Sequence, residues 1–303
     1  LSELPREWRR EVRAWARMNA RFAGGTDARP SPGPNLEYYY YQTLLAAWDG
    51  SPTAAFRQRI ATHMTKAMRE AKERTAWTRI DEAFETQVHA FVRATLDGRR
   101  SRRFIDRVER FVDRIAGAAS LNSLGMVALK CTAPGIPDFY QGSEAALTTL
   151  TDPDNRSRID FEAIAALAQD DSCVGTRPLS VEKVEFTHAL LSMRARRPAL
   201  FSSGEYIPLQ ATGSLDQHVF AFLRRHGRDW VMVVIARAGA HHVDAEGRVQ
   251  GATWDDTRLS VDTPVITWHN VWAAQEVVAA SSIQLAELLG TTPVGVFEGR
   301  SGR

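Results

Sequence analysis

Through the first half of the chain, apolar residues recur at the three-to-four-residue spacing that places them on one face of an α-helix. Trp8, Val12, Trp15 and Phe22 form the first such stripe, with Pro5 where a first helical turn tolerates proline. Gly24-Gly25 and Pro30-Ser31-Pro32-Gly33-Pro34 then break the pattern. Tyr38, Gln42, Leu45 and Trp48 predict a second helix that ends at Asp49-Gly50-Ser51-Pro52. A third carries Phe56, Ile60, Met64, Met68 and Ala71 on one face, with Arg57, Arg59, Lys66, Arg69 and Glu70 largely off it. Phe84, Val88, Phe91 and Leu96 predict a fourth, and Phe104, Val108, Phe111 and Ile115 a fifth. These stripes read as core faces, not as surfaces for a cofactor.

The pattern changes between residues 124 and 142. Residues 124–131 are a compact apolar segment stopped by Thr132-Ala133-Pro134-Gly135, and residues 136–140 read as a short buried strand opening into a polar loop. A helix is expected around residues 181–194. Beyond it the signal turns to β: residues 206–209, 218–224, 230–236, 254–261, 265–272 and 294–297 are short runs of β-branched and aromatic residues. That spacing suits a small β-sandwich and draws a domain boundary near residue 200.

Composition narrows the classes. The chain has 303 residues, 44% apolar and 24% charged, enough for one large domain or two ordinary ones. Lys and Arg number 38 against 36 Asp and Glu, a net charge of +2 without the basic excess of a nucleic-acid binder. The one dense basic run, Arg99-Arg100-Ser101-Arg102-Arg103, lies between two helical patterns and reads as a solvated linker. Cys131 and Cys173 do not make a disulfide scaffold and fit a reducing cytoplasm; Cys131, after an apolar run, is expected to be a buried thiol. No apolar stretch reaches the roughly 18 residues of a membrane-spanning helix, so no membrane partner is expected. The N-terminus lacks the apolar core of a signal peptide, and its first residue, Leu1 rather than Met, predicts an excised piece or an incomplete reading frame. His241-His242 has no spaced partners for zinc, Gly24-Gly25 and Gly33 follow no strand as a phosphate loop would, and Asp170-Asp171 reads as a solvated turn ending a helix.

Certain segments carry more. Gly135-Ile136-Pro137-Asp138-Phe139-Tyr140-Gln141-Gly142-Ser143-Glu144 resembles the last-strand segment of α-amylase-superfamily barrels, whose following loop lies on the barrel face where active sites form. Thr151-Asp152-Pro153-Asp154-Asn155-Arg156-Ser157-Arg158-Ile159-Asp160-Phe161 resembles the D-P-D-N-R-R-x-x-D-[YF] signature of the maltooligosyltrehalose synthase family. Lys66-Ala67-Met68-Arg69-Glu70-Ala71-Lys72 with Thr75-Ala76-Trp77 is similar to that family's K-A-x-R-E-A-K…T-S-W stretch. Tyr41-Gln42-Thr43-Leu44-Leu45 with Trp48 is similar to its Y-Q-T-L-L-G-A-W. Ala76, Ala46 and Ser157 depart from these patterns without removing a group the chemistry requires. The likeness covers residues 1–161, in order, and loosens beyond residue 200, where Leu200-Phe201 and Gly204-Glu205-Tyr206 still fit the opening of the family's β-domain.

The resemblance implies the C-terminal part of such an enzyme. Residues 1–199 would be the last part of an incomplete (β/α)8 barrel with helical insertions, and residues 200–303 an all-β sandwich: an α/β plus β fold. It implies an intramolecular glucosyl transfer that converts the reducing-end α-1,4 bond of a maltooligosaccharide to an α,α-1,1 bond, without metal or other cofactor. The family's three catalytic carboxylates lie upstream of the stretch that resembles Leu1-Ser2-Glu3-Leu4-Pro5, one of them in a T-H-D-T-K-R segment. No catalytic residue is therefore carried over, the missing N-terminal barrel half becomes the expected partner, and the chain alone is expected to be inactive. For substrate binding the candidates are Tyr140, Gln141, Asp152, Asn155 and Arg156, whose donors and acceptors suit sugar hydroxyls. An internal Asp–Arg network that only shapes the loop is the competing use of the same residues. At the level of the whole chain, a glycan-binding or scaffold half of a split enzyme competes with the fragment, as does the end of another superfamily enzyme.

Overall fold

The structure is a computed structural model that describes residues 1–26, 29–167, 179–244, 247–249, 251–254 and 256–302. The chain packs as two compact units, residues 1–114 with 148–158, and residues 115–147 with 159–303.

The first unit is helical: α1 (Pro5–Asn19), a hairpin of β1 (Gly24–Thr26) and β2 (Arg29–Ser31), α2 (Pro34–Ala47), α3 (Ala54–Ala71), α4 (Glu82–Thr95) and the first turns of α5 (Arg102–Thr132). Local chemistry sets these ends. Pro5 and Pro34 occupy first-turn positions, where the missing N–H is not needed. Thr53 Oγ1 accepts from the Phe56 amide and Asp81 Oδ1 from the Phe84 amide, capping α3 and α4. In the hairpin Gly25 has φ +83°, and a Cβ there would lie 2.2 Å from the Arg29 carbonyl oxygen, so only glycine closes this turn. Trp15, fully buried, meets Trp8, Tyr41, Phe104 and Phe111 edge-on at centroid separations of 5.6, 5.3, 5.9 and 5.9 Å.

The expected stripes of α3 and α4 are the buried ones: Phe56, Ile60, Met64 and Met68, then Phe84, Val88 and Phe91. The second stripe is a correction. Tyr38 is 41% exposed, and the buried face of α2 is Tyr40, Tyr41, Leu44 and Ala47. Four consecutive tyrosines cannot all face inward. The two that do, Tyr40 and Tyr41, have their buried hydroxyls satisfied, Tyr40 on Thr95 and Tyr41 between Glu37 and Asn19. Phe22 also leaves its stripe, because α1 tightens into a 3-10 turn at Ala20–Phe22. The fifth helix continues through residues 124–131 to a length of 31 residues.

In the second unit α6 (Phe161–Leu167), α7 (Leu179–Arg196) and α8 (Pro198–Ser203) precede the sheets. These are built from β3 (Glu205–Leu209), β4 (Ala211–Thr212), β5 (Val219–His226), β6 (Asp229–Ala236), β7 (Arg258–Ser260), β8 (Thr267–Asn270), β9 (Glu276–Val278), β10 (Ser282–Gln284), a short helix α9 (Leu285–Leu289) and β11 (Val294–Arg300). One antiparallel sheet has the order β3-β5-β6-β11-β8-β9 and a second the order β10-β7-β4. The central strand β6 shows why the unit is layered. Its run Trp230-Val231-Met232-Val233-Val234-Ile235-Ala236 is buried throughout, so both faces of the sheet are covered. Trp230, Met232, Val234 and Ala236 pack with Leu259, Ile283 and Leu285 from the smaller sheet and α9. Val231, Val233 and Ile235 point the other way, among Leu124, Ala128 and Cys131 of α5, Phe186 and Leu190 of α7, and Leu200 and Phe201 of α8.

That second face revises the expectation of an all-β block that stands by itself after residue 200. The half of α5 beyond residue 114 and helices α7 and α8 belong to the same hydrophobic unit as the sheet. Arg224 ties them further. Its side chain is buried, and its guanidinium donates to the carbonyls of Thr132 at 2.8 Å, Gly204 at 3.0 Å and Leu200 at 3.2 Å, where α5 and α8 end. A second correction concerns residues 136–140, which form no strand: no strand among the described residues pairs with them, and Ile136 is 95% exposed. Residues 254–261 likewise divide into a 3-10 turn (Gly251–Trp254) and the short β7. Cys131 is a free buried thiol, raised to about 11 by burial; Cys173 and Asp170-Asp171 lie outside the described residues.

Candidate functional site

The D-P-D-N-R segment is held to α3 by one clamp. Arg59, on the flank of α3 away from its apolar face, donates from Nε to Asp154 Oδ1 and from Nη2 to Asp154 Oδ2, both at 3.0 Å. The same guanidinium donates to the Thr148 carbonyl at 2.9 Å, and the Leu150 amide donates to Asp154 Oδ2 at 2.7 Å. Burial alone would raise the Asp154 pKa, but the Arg59 guanidinium and the Leu150 amide outweigh it and hold the carboxyl below its ordinary value. The loop thus rests on a charged, bidentate bond of the strong kind. His63, one helical turn beyond Arg59, feels the Asp154 charge. Its Nε2 lies 2.6 Å from the Tyr39 hydroxyl, with the rings stacked at 5.8 Å, and burial lowers its pKa.

On that footing Asp152 and Arg156 face outward, while the Oδ1 of the half-buried Asn155 is covered. Asp152 and Arg156 form an ion pair with side chains 42% and 74% exposed. Asn155 sits between them in the 3-10 turn Asp154–Arg156, closed by Ser157 Oγ donating to the Asp154 carbonyl at 2.7 Å. Of the expected substrate-binding residues, Asp152, Asn155 and Arg156 are therefore brought together in the first unit. The loop thus holds two Asp–Arg pairs, Asp154 with Arg59 of α3 and Asp152 with Arg156 within the loop itself.

Tyr140 and Gln141 belong to the second unit, where both are exposed in a turn closed by the Ser143 amide on the Tyr140 carbonyl at 3.0 Å. Gly142 has φ +79° there, with Ile159 packed against it. Lys183 of α7 donates to the Ala145 carbonyl at 3.0 Å, and the Lys130 ammonium lies 4.1 Å from the Phe139 ring centre.

The other family-like stretch makes a corner between α3 and α4. Arg69 donates to both carboxylate oxygens of Glu85 at 2.9 and 2.8 Å, and Thr75 Oγ1 donates to Glu85 Oε1 at 2.6 Å while accepting from the Asp81 amide. The Arg69 guanidinium lies 4.9 Å from the Trp77 ring centre, and Glu70 pairs with Lys66 at 3.6 Å. The Arg69 hydrogen bonds hold the Glu85 carboxyl below its ordinary value. Sequence reasoning missed Arg59 and Glu85. Their partners lie 95 and 16 residues away, so nothing local announces either bond. Among the described residues no three His, Cys, Asp or Glu side chains gather as a metal site, and no helix is long and apolar enough to cross a membrane.

No family model matches the chain. A curated Mycobacterium tuberculosis protein that bears the name maltooligosyl trehalose synthase is 30% identical over 297 residues, which cover 97% of this chain and 34% of that protein. The solved structure of maltooligosyltrehalose synthase from Arthrobacter ramosus matches with a TM-score of 0.77 at 27% identity, over 99% of this chain and 35% of that one. A further maltooligosyl trehalose synthase structure matches with a TM-score of 0.72 at 27% identity, over 99% of this chain and 36% of the other. The chain spans about a third of the length of the curated relatives it matches. Along nearly its whole length, the chain is a homologue of the C-terminal third of the maltooligosyltrehalose synthases.

Proposed function

We propose that this chain supplies the leaving-glucose side of a maltooligosyltrehalose synthase site. The reaction is the conversion of the reducing-end α-1,4 bond of a maltooligosaccharide to an α,α-1,1 bond. In this reading two carboxyl groups about 5 Å apart, one nucleophile and one acid/base, cleave the bond and hold the glycosyl-enzyme. They come from the barrel half that the family keeps upstream, and no residue of this chain takes either role. What separates a mutase from a hydrolase is the fate of the released glucose. It must stay, turn, and attack through its anomeric hydroxyl before water does, which needs a closed pocket with groups gripping its hydroxyls.

The observation that carries this is the outward Asp152–Arg156 pair on the rigid Arg59–Asp154 footing, in the segment that bears the family signature. A carboxylate and a guanidinium offered together can accept from and donate to vicinal hydroxyls. Asn155 adds an amide to that set, and Tyr140 and Gln141, in the second unit, are carried as further candidates by their place in the barrel-like segment. The exposed Ile136 and Tyr140 suit a segment that is the last strand of a barrel and that packs only when the other strands are present. In this reading residues 1–199 carry the end of the barrel with its helical insertions, the sheets of residues 200–303 share their core with α5, α7 and α8 and do not stand alone, and the protein works in the cytoplasm without a cofactor.

The test uses a chimera in which this chain replaces the matched third of a maltooligosyltrehalose synthase. Asp152→Ala and Arg156→Ala should shift its product from maltooligosyl trehalose towards free glucose by about tenfold, the scale of a charged hydrogen bond of about 1.5–3 kcal/mol. Total bond cleavage should fall less. An unchanged product ratio in both variants would remove residues 152–156 from the site.

A further inference from the structure

His241-His242 has no partner at zinc spacing in the sequence, but the fold brings His218 to it. His218 ends the 3-10 turn Asp216–His218 at the start of β5. His242 lies in the turn after β6, closed by its amide on the Gly239 carbonyl at 2.8 Å. The two rings stand 5.0 Å apart, centre to centre, with their planes at 76°, and both residues are half-buried. The inner nitrogen of His218 is fixed. Its Nδ1 lies 3.0 Å from the Ala238 carbonyl oxygen and 3.3 Å from that of Arg237. A carbonyl only accepts, so Nδ1 carries the proton and, in the neutral ring, Nε2 keeps its lone pair. Metal-ligating histidines are held in the same way, with the far N–H on a backbone carbonyl. Ala238, which supplies the nearer carbonyl, sits at φ +51°, a conformation that costs a non-glycine residue energy.

His242 is left free where His218 is fixed. No hydrogen bond among the described residues engages its ring nitrogens, so the ring can turn one of them towards His218. Burial, and after it the neighbouring His218 and His241, hold its pKa below the ordinary histidine value, so at neutral pH the ring is uncharged. The separation of the rings agrees with a shared ion. An imidazole nitrogen binds zinc at about 2.0–2.1 Å with its ring centre about 1.1 Å further back, so two imidazoles at a tetrahedral angle stand about 5.2 Å apart. Among the described residues no third His, Cys, Asp or Glu joins the pair, so water completes the coordination and the ion exchanges. Imidazole ligands suit Zn²⁺, Ni²⁺ or Cu²⁺ and not Mg²⁺ or Ca²⁺.

We propose that His218 and His242 chelate one divalent transition-metal ion of the zinc type, through His218 Nε2 and a ring nitrogen of His242. The ion clips the turn after β6 to the start of β5 within the second unit. It takes no part in the glucosyl transfer proposed above, and neither reading depends on the other.

The test is isothermal titration calorimetry of the tag-free 303-residue chain with zinc chloride, in a buffer that does not bind metal. One ion should bind per chain, and magnesium chloride should give no saturable heat. His218→Asn and His242→Asn should each weaken zinc by about tenfold or more. The double variant should bind no more than about twofold more weakly than the poorer single variant, because one ion needs both rings. His226→Asn removes an exposed imidazole from the far end of β5 and should leave binding unchanged. Should His218→Asn melt early without zinc, through loss of its carbonyl bond, His242→Asn alone carries the same expectation. Absence of saturable zinc binding, full binding by the His242→Asn variant, or an equal loss in His226→Asn would each overturn the proposal.

Discussion

At the scale of single residues, two arginine–carboxylate pairs of the first unit have distinct roles. Arg59–Asp154 is mostly buried, bidentate and tied to the Thr148 carbonyl and Leu150 amide, so it holds the loop. Asp152–Arg156 is exposed and contributes little to stability by itself. Arg59→Ala should therefore cost the chain about 2 kcal/mol of stability, while Arg156→Ala should leave the melting curve within about 0.5 kcal/mol. Equal melting losses would show that the exposed pair also shapes the loop. Glu85 gives a pH test. Arg69 and Thr75 hold its carboxyl below the ordinary value of 4.5, so its stabilising contribution is complete above that value. The contribution disappears as pH falls through the depressed folded value. Glu85→Gln should thus melt below the parent chain at pH 7, and the gap should close in acid. A gap that stays constant between pH 7 and pH 3 would contradict this origin. Much of this scale was legible only as motif. The K-A-x-R-E-A-K…T-x-W pattern marked Arg69 and Thr75, but Glu85, which makes sense of both, carries no local signal. Likewise Asp154 stood in the signature while Arg59 read as one more polar position on a helix flank.

At the scale of elements, periodicity located the helices better than it oriented them. The stripes of α3 and α4 were readable because each has one apolar residue per turn on a polar background. In α2 four tyrosines in a row leave the buried face undecided; the structure buries Tyr40 and Tyr41, whose hydroxyls are satisfied on α4 and α1. The β-branched run of β6 was readable as a strand, but a run buried on both faces does not say what covers it. The covering elements are α5, α7 and α8 on one side and the smaller sheet with α9 on the other. The β-block at 203–298 should therefore not survive alone. Limited proteolysis should yield a protected piece that retains residues 115–147 and 179–302. A stable fragment that begins near residue 203 would contradict the layered core. Phe222→Ala, on the face covered by α8, should cost about 3–5 kcal/mol.

At the scale of the whole molecule, residues 136–140 are the informative failure of the sequence reading. The pattern there is that of a barrel strand, and the structure shows an exposed coil with Ile136 uncovered, because a strand needs neighbours to hydrogen-bond and the described residues offer none. The signature segments made the relationship to the maltooligosyltrehalose synthases legible from residues 1–161, and the comparisons extend it through the β-domain. The central claim is that this chain carries the grip on the departing glucose and none of the bond-breaking carboxylates. Its most direct test measures glucose and maltooligosyl trehalose released from maltopentaose by the chain alone and by the chimera. The account predicts no turnover by the chain, since loss of catalytic groups costs many powers of ten, and trehalose-type product from the chimera. Turnover by the purified chain, or a folded chimera that only hydrolyses, would contradict it.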